Sequence, residues 1–274
     1  MSNATIALPQ VCRPYLSSAA RTLAALLLMG AVSSAGAADV DTYKVDAFAQ
    51  SATGCTTTNL SDPSALKSRL HQSANRANIE CKLAELERFQ DEAVLSTLTK
   101  PQAARQQYLA YKAQAWLNYA THENSIKSHT AAGNHALQSA DIILQALKNS
   151  NLQTLDLSPD IPDSSALMRP DLWAVLTALK DKDGMEQAPR ELAFSEVALV
   201  WAAADHCEHG ARQSVSHFRM ADRWLEQARE AYVNAHDSET NVALERLTNS
   251  YYKQYALVDS NDDSCRSYRF PSAI

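Results

Sequence analysis

One segment pattern occurs twice in the chain, and it constrains the fold more than any other feature. In each copy an apolar, tryptophan-bearing stretch ends in Ala-x-His, a polar turn follows, and an amphipathic stretch centred on Ala-Asp comes next. The copies span residues 111–147 and 195–231. Their Ala-x-His features lie 84 residues apart and their Ala-Asp features 81 residues apart, so the connecting turns differ by three residues. The pattern predicts a helix pair that has been duplicated.

The low glycine content indicates which kind of structure surrounds these pairs. After residue 37 the only glycines are Gly54, Gly133, Gly184 and Gly210. Tight β-hairpins and phosphate-binding loops both depend on glycine, whereas apolar residues here recur at the three- and four-residue spacing of a helix face. We therefore predict an all-α fold, a helical array of two halves that each contain one antiparallel helix pair. Gly210 is expected to close a helix in the left-handed conformation.

Residues 1–37 have the features of a signal peptide. Arg13 and Arg21 precede an apolar core at residues 23–32, and Ala-Gly-Ala at 35–37 fits the small-residue cleavage pattern. The apolar core is shorter than the roughly 20 residues that a membrane span needs. We predict cleavage, no membrane span afterwards, and a periplasmic or secreted location in a Gram-negative bacterium. An uncleaved anchor is the alternative.

Composition divides the rest of the chain into five segments. Residues 150–169 contain two prolines and no helical period, which is typical of a linker and of a boundary between halves. The first helix is predicted to begin at Pro63 and to run unbroken to about Leu98. The predicted segments are a loose arm at 38–60, a first helical half at 61–149, the linker at 150–169, a second helical half at 170–257 and a polar tail at 258–274.

Four cysteines follow the predicted cleavage site: Cys55, Cys81, Cys207 and Cys265. An even number of cysteines in an exported chain indicates disulfides. We predict the pairs Cys55–Cys81 and Cys207–Cys265, because each pair would tie an irregular terminal segment to a helix. Free thiols are the alternative.

Charge and motifs exclude several classes of function. Residues 1–37 contain two arginines and no acidic residue, so the cleaved chain is more acidic than the formal charge of −6. An acidic chain is a poor ligand for nucleic acid or anionic lipid. Gly-x-Ser-x-Gly, His-Glu-x-x-His, Cys-x-x-Cys and glycine-rich phosphate loops are absent from the sequence. We therefore expect neither an enzyme nor a bound cofactor, and a hydrolase without a recognisable motif is an alternative.

A histidine-rich turn is the sharpest candidate for chemistry. His206, Glu208 and His209 lie together, and His217 follows beyond Gly210. Two histidines three residues apart share a helix face, and with a carboxylate they could hold zinc or copper. The alternative, which we prefer, is structural, since a histidine in the last turn of a helix can bind free carbonyls and complement the helix dipole. A duplicated pair would repeat that role in both copies.

Two aromatic residues are candidates for a partner-binding surface. Trp224 and Tyr252 lie off the apolar stripes of their helices and have polar neighbours. An aromatic ring with a polar edge suits an interface. We expect most of the other tryptophans and tyrosines to be core residues, because helical spacing explains them.

Each copy resembles a tetratricopeptide helix pair, and the second copy carries the resemblance best. The positions at which that repeat has its characteristic small and bulky residues are occupied here by Ala198, Trp201, Ala202, Ser214, Phe218 and Ala221. It departs from the family pattern at Asp205, where an aromatic residue is usual, and no proline closes the repeat. Residues 116–123 also resemble the helical region that precedes OmpA-like domains in some proteobacterial envelope proteins, although the OmpA-like domain itself is missing.

Stacked helix pairs leave an extended groove between them. The expected function is therefore that of an exported binding or scaffolding protein, which engages a protein or peptide of the cell envelope through such a groove. A periplasmic metal-binding protein that uses the histidine-rich turn is the alternative from a different class.

Overall fold

The computed structural model of the chain describes residues 69–125, 130–158, 160–259, 265 and 268–269. All of these lie in one compact unit, residues 51–274. The described part is almost entirely helical, which confirms the all-α prediction. Its helices are α1 (Arg69–Gln90), α2 (Glu92–Leu95), α3 (Lys100–Ser125), α4 (Ala131–Lys148), α5 (Pro170–Asp181), α6 (Gly184–Gln187), α7 (Pro189–His209), α8 (Ala211–Ala235) and α9 (Ser238–Asp259).

Helices α3 and α7 form the centre of the fold. α3 packs on α4 and α1, α7 packs on α8, and α3 and α7 pack on each other. This position explains why residues 108–120 of α3 and 192–204 of α7 are apolar on nearly every side, since a stretch with neighbours all round is largely shielded from solvent. Almost every residue from Leu192 to Asp205 in α7 is buried. The largest buried side chains of the core include Trp173, Tyr108, Tyr119, Tyr232 and Tyr255.

The two helix pairs turn in different ways. In the first pair, Thr130 caps the N-terminus of α4, where its hydroxyl accepts from the Gly133 N–H at 2.9 Å and donates to Glu123 of α3 at 2.6 Å. In the second pair, Gly210 alone joins α7 to α8. Its φ is +83° but its ψ is 177°, so the prediction that it closes α7 in the left-handed helical conformation was wrong. No neighbouring atom would obstruct a Cβ at this position, so the backbone angle is what favours glycine there.

The first described helix is interrupted, so the prediction of an unbroken helix to Leu98 was wrong. α1 ends at Gln90 and α2 begins at Glu92. The carbonyl of Asp91 accepts from the N–H groups of Val94 and Leu95, at 3.1 and 3.0 Å. Asp91 thus starts a new helix, a position that aspartate favours. Pro63, the predicted start of the helix, lies outside the described residues.

A short antiparallel strand pair joins two distant segments. Strand β1 (Asp160–Ile161) lies in the predicted linker and pairs with strand β2 (Tyr268–Arg269) in the C-terminal tail. The predicted Cys207–Cys265 disulfide is confirmed, with the two Cα atoms 5.6 Å apart. Cys81 is also disulfide-bonded. Its predicted partner Cys55 lies outside the described residues, so that pairing stays a prediction.

Helices α8 and α9 share a turn but pack on different neighbours. α8 lies on α7, whereas α9 lies on α5. Leu244 and Tyr255 of α9 are buried, and the Tyr255 hydroxyl donates to Thr177 of α5 at 3.2 Å. Tyr251 donates to Asp181 at the end of α5. None of the described helices combines the length and apolar character that crossing a membrane requires.

His236, which ends α8, makes the stability of this corner depend on pH. Its Nδ1 lies 2.7 Å from the Tyr232 carbonyl and its Nε2 lies 2.9 Å from the Asp183 carboxylate, so both nitrogens can donate when the ring is protonated. The hydrogen bond to the Tyr232 carbonyl contributes most to raising the pKa of His236 above its usual value, and the Asp183 carboxylate raises it further. A raised pKa in the folded state means that this stabilisation is complete below pH about 6.5 and is lost as the pH rises through the raised value.

Between pH 6 and 8 we expect the free energy of unfolding to fall more in the wild-type protein than in a His236→Gln variant. The difference should be less than about 1 kcal/mol, because the His236–Asp183 pair is partly exposed. Unfolding by urea at a series of pH values measures the difference. His209→Gln, which removes an exposed imidazole, is the control and should keep the wild-type dependence. Parallel pH profiles for wild type and His236→Gln would contradict the assignment.

Candidate functional site

A ladder of aromatic and histidine rings crosses the four helices α4, α3, α7 and α8. Its rings belong to His135, Trp116, Tyr119, Trp201 and His217. The centroids of successive rings are 5.3, 6.3, 4.4 and 4.0 Å apart in that order. Trp201 is stacked between Tyr119 on one side and His217 on the other. The ladder therefore places side chains of both helix pairs in direct contact.

The His217 end of the ladder holds an ordered group of titratable side chains. The carboxylate of Asp205 lies 2.6 Å from Nδ1 of His217. His122 is exposed on α3, with its ring edge-on to Trp201 at 5.0 Å. The rings of His122 and His217 lie 6.0 Å apart with their planes at 83°. This arrangement brings two imidazoles from different helix pairs to one place and fixes the orientation of one of them.

The indole N–H of Trp201 is an unusual feature of the same place. Trp201 is 8% exposed, and its N–H has no hydrogen-bond partner among the described residues. A buried donor without a partner costs free energy, and in a native protein it calls for an explanation.

The side chains of the histidine-rich turn are farther apart than the sequence suggests. His217 contacts Asp205 and His122, while Glu208 and His209 are exposed and 4.0 Å apart. His206 is half-buried on α7, and Cys207 beside it is committed to its disulfide. No group of three or more His, Cys, Asp or Glu side chains in the described part of the chain is arranged to hold a metal ion.

A buried charge cluster lies between α3, α5 and α7, and the sequence reading missed it. Glu196 of α7 accepts hydrogen bonds from Lys112 at 2.7 Å, from Lys180 at 2.8 Å and from the Tyr108 hydroxyl. The side chains of Glu196 and Lys180 are 3% and 6% exposed. The pairing has a signal in the sequence, because Lys112 and Glu196 are separated by the same 84 residues as the Ala-x-His features. Equivalent positions of the two copies thus carry opposite charges.

Burial and charge shift the pKa values of this cluster in opposite senses. Burial lowers the pKa of Lys180 to about 8, in spite of Glu196. Burial alone would raise the pKa of Glu196, but Lys112 and Lys180 outweigh it and lower that pKa to about 2. Burial and the Glu196 charge raise the pKa of Tyr108 well above its usual range. At neutral pH Tyr108 therefore stays protonated and donates, and Glu196 is a paired anion.

Two of the cations in this region also hold the linker. The Arg105 guanidinium donates to the carbonyls of Leu152 and Leu155, at 2.9 and 2.6 Å, and Lys180 donates to the carbonyl of Leu157. The first of these carbonyls belongs to a single 3₁₀ turn, Leu152–Thr154. The cluster therefore joins the linker to three helices, and its groups serve one another instead of facing an open site.

The two predicted partner-binding aromatics differ in exposure. Trp224 of α8 is half-buried, with its ring 5.3 Å from Phe194 and 5.2 Å from the Arg190 guanidinium. Much of its surface is therefore covered by α7. Tyr252 of α9 is 45% exposed.

Tyr252 belongs to an outer stripe of α9, which comprises Val242, Glu245, Asn249 and Tyr252 at spacings of three and four residues. All four residues are exposed, and they lie opposite the face that packs on α5. Val233 of α8 is also exposed. It lies beside this stripe, since its carbonyl accepts a hydrogen bond from the Asn241 side chain of α9 at 3.1 Å. Arg229 of α8 pairs with Glu245 across the gap between the two helices. The outer stripe thus combines apolar, aromatic and charged groups.

Comparison of the chain with protein-family models, with curated proteins and with solved structures finds no match.

Proposed function

We propose that the protein is an exported helical binding or scaffolding protein of the bacterial cell envelope, which engages a protein or peptide partner. The observation that carries the proposal is the exposed outer stripe of α9 beside α8. Val242 and Tyr252 are 48% and 45% exposed on a helix whose opposite face is well packed. Interfaces favour aromatic and apolar groups interspersed with polar ones. An aromatic side chain also provides a large contact area at low conformational cost.

The arrangement of the helices supports the same proposal. α8 and α9 diverge from their shared turn because they pack on α7 and α5 respectively. A gap between diverging helices can accept an extended segment or a helix of a partner. In this proposal the α3/α4 and α7/α8 pairs stack in a tetratricopeptide-like manner and form a rigid support for that surface.

The export part of the proposal rests on the N-terminal sequence and on the cysteines. Residues 1–37 have the charge, apolar core and cleavage pattern of a signal peptide. Disulfides persist in oxidising compartments such as the periplasm, and Cys207 and Cys265 are bonded to each other. Both features are consistent with a periplasmic or secreted protein.

The proposal predicts a cross-link at position 252. A photo-reactive amino acid in place of Tyr252 should give a discrete cross-linked product in living Gram-negative cells that export the chain. The same substitution at Ile142, which is 52% exposed on α4, is the matched control and should give none. Mass spectrometry of the product identifies the partner and its compartment.

Two outcomes would contradict this proposal. A cross-linked product that forms equally at positions 252 and 142 would show that cross-linking at 252 does not reflect a specific partner surface. Absence of any product at 252, with the protein exported and folded as judged by circular dichroism, would exclude the outer stripe as the partner surface.

A further inference from the structure

We propose that His122 and His217 bind one divalent transition-metal ion of the class that prefers imidazole nitrogen, such as Cu²⁺ or Zn²⁺, at the end of the ring ladder. The inference is independent of the partner-binding proposal. It also differs from the sequence prediction, which placed the metal in the turn between His206 and His217. The new site joins α3 to α8, and so it lies between the two helix pairs.

The relative placement of the two rings is the first argument. Metal–nitrogen bonds to histidine are about 2.0–2.1 Å long, so two imidazoles on one ion at the usual ligand angles have centroids roughly 4.5–5.2 Å apart. The centroids of His122 and His217 are 6.0 Å apart, and their planes are close to perpendicular. His122 is exposed, so its side chain can adjust and an ion can enter from solvent. The exposed His122 ring has to approach His217 by roughly 1 Å for both rings to bind one ion.

Asp205 is the second argument, because it acts as a positioning residue. Its carboxylate lies 2.6 Å from Nδ1 of His217 and is itself largely buried. The carboxylate is not aligned with this nitrogen as a hydrogen bond, but at this distance it covers the Nδ1 side of the ring and leaves the Nε2 side open to an ion. Nε2 of His217 is therefore the nitrogen that binds.

Trp201 supplies the third argument. Its ring is stacked on His217 at 4.0 Å and meets His122 at 5.0 Å, and its buried N–H has no partner among the described residues. Two protein ligands leave other positions on the ion for water or an anion. An oxygen ligand on the ion is a suitable acceptor for the N–H of Trp201. Such a bond would satisfy a donor that has no acceptor among the described residues.

Affinity for imidazole sites is greatest for Cu²⁺ among the common divalent ions. We therefore expect Cu²⁺ to bind more tightly than Zn²⁺, with one ion per chain. Binding is measured by isothermal titration calorimetry on the cleaved, untagged protein, with each ion added alone. Trp201 provides an internal reporter, because Cu²⁺ beside a stacked imidazole should quench its fluorescence.

Four variants locate the site. His122→Gln and His217→Gln should each weaken Cu²⁺ binding at least tenfold, and electron paramagnetic resonance should show two coordinated nitrogens in wild type but one in each variant. Asp205→Asn should weaken binding severalfold and retain both nitrogens. The matched control is a double variant, His206→Gln with His209→Gln, which should bind as wild type does. Circular dichroism confirms folding, and His122→Gln keeps the test valid if His217→Gln unfolds, because His122 is exposed.

Three outcomes would overturn the proposal. Wild-type affinity in His122→Gln would remove the α3 ligand. Loss of binding in the His206→Gln, His209→Gln variant would return the metal to the turn after α7. No saturable binding of either ion to the wild-type protein would mean that the two imidazoles form no metal site.

Discussion

Replacing Glu196 with alanine is expected to destabilise the protein by about 3–5 kcal/mol, the range found when one partner of a buried ion pair is removed. The substitution leaves Lys112 and Lys180 without their shared anion at sites where their side chains are 12% and 6% exposed. The buried Tyr108 hydroxyl loses its acceptor as well. Unfolding by urea, followed by circular dichroism, measures the change in the free energy of unfolding.

The matched control is Glu245→Ala, which removes an exposed partner of Arg229. Surface pairs of this kind contribute about 1 kcal/mol or less, so the control should unfold nearly as wild type does. A triple variant, Glu196→Leu with Lys112→Met and Lys180→Met, should recover much of the loss, because apolar groups can replace a buried ion cluster. Equal destabilisation by Glu196→Ala and Glu245→Ala would contradict a structural role for the cluster.

The contribution of the Glu196 carboxylate to stability should also be measurable in the wild-type protein at acid pH. The lysines lower the pKa of Glu196 to about 2 in the folded state. A lowered pKa means that the stabilisation is complete above the unfolded value of about 4.3 and is lost as the pH falls towards the folded value. The wild-type protein should therefore lose more stability than Glu196→Ala between pH 5 and pH 2.

The all-α fold and the central helices could be predicted because their signal is local. Residues 108–120 of α3 and 192–204 of α7 are apolar on nearly all sides, and stretches of that composition are buried between neighbouring helices. The Cys207–Cys265 pair was also predictable, since Cys265 is the one cysteine in the sequence of residues 258–274 and a bond to Cys207 ties that tail to a helix. Short-range patterns thus determine which elements form and which of them become buried.

The contacts between elements were harder to predict, because they join residues far apart in sequence. Strand β1 pairs with a segment more than a hundred residues away, and two residues are too few for an alternating pattern. The break at Asp91 depends on one capping residue inside a helical pattern. Sequence spacing alone favoured His206 and His209 as partners of His217, whereas packing of α3 on α7 brings His122 to it.

The charge cluster is an intermediate case. Lys112 and Glu196 occupy corresponding positions of the repeated sequence pattern, 84 residues apart, and they are in contact between α3 and α7. If the two copies descend from one helix pair, this position originally held the same residue in both copies. It now holds Lys112 in one copy and Glu196 in the other, and only one arrangement of the helices lets the two form an ion pair. A buried charge that needs its exact partner penalises other registers of α3 against α7, which is a means of specifying a single packing.

Removing the Cys207–Cys265 disulfide is expected to lower the free energy of unfolding by about 4 kcal/mol, as estimated for a closed loop of about this length. The two cysteines are separated by 58 residues, and the loop contains α8 and α9. Without the bond, the unfolded chain gains conformational freedom and the tail loses its attachment to α7. In a domain of this size the melting temperature should fall by about 8–16 °C.

The variant Cys207→Ser with Cys265→Ser tests this expectation, and it is preferable to a reducing agent because reduction would also break the disulfide of Cys81. Thermal unfolding gives the global effect, and hydrogen exchange at Ile161 reports whether β1 still pairs with β2. If the bond only restricts the unfolded chain, exchange at Ile161 will change no more than that of the α3 core. Faster exchange at Ile161 than in α3 would show instead that the disulfide holds the tail against the linker in the folded protein. An unchanged melting temperature would contradict both mechanisms.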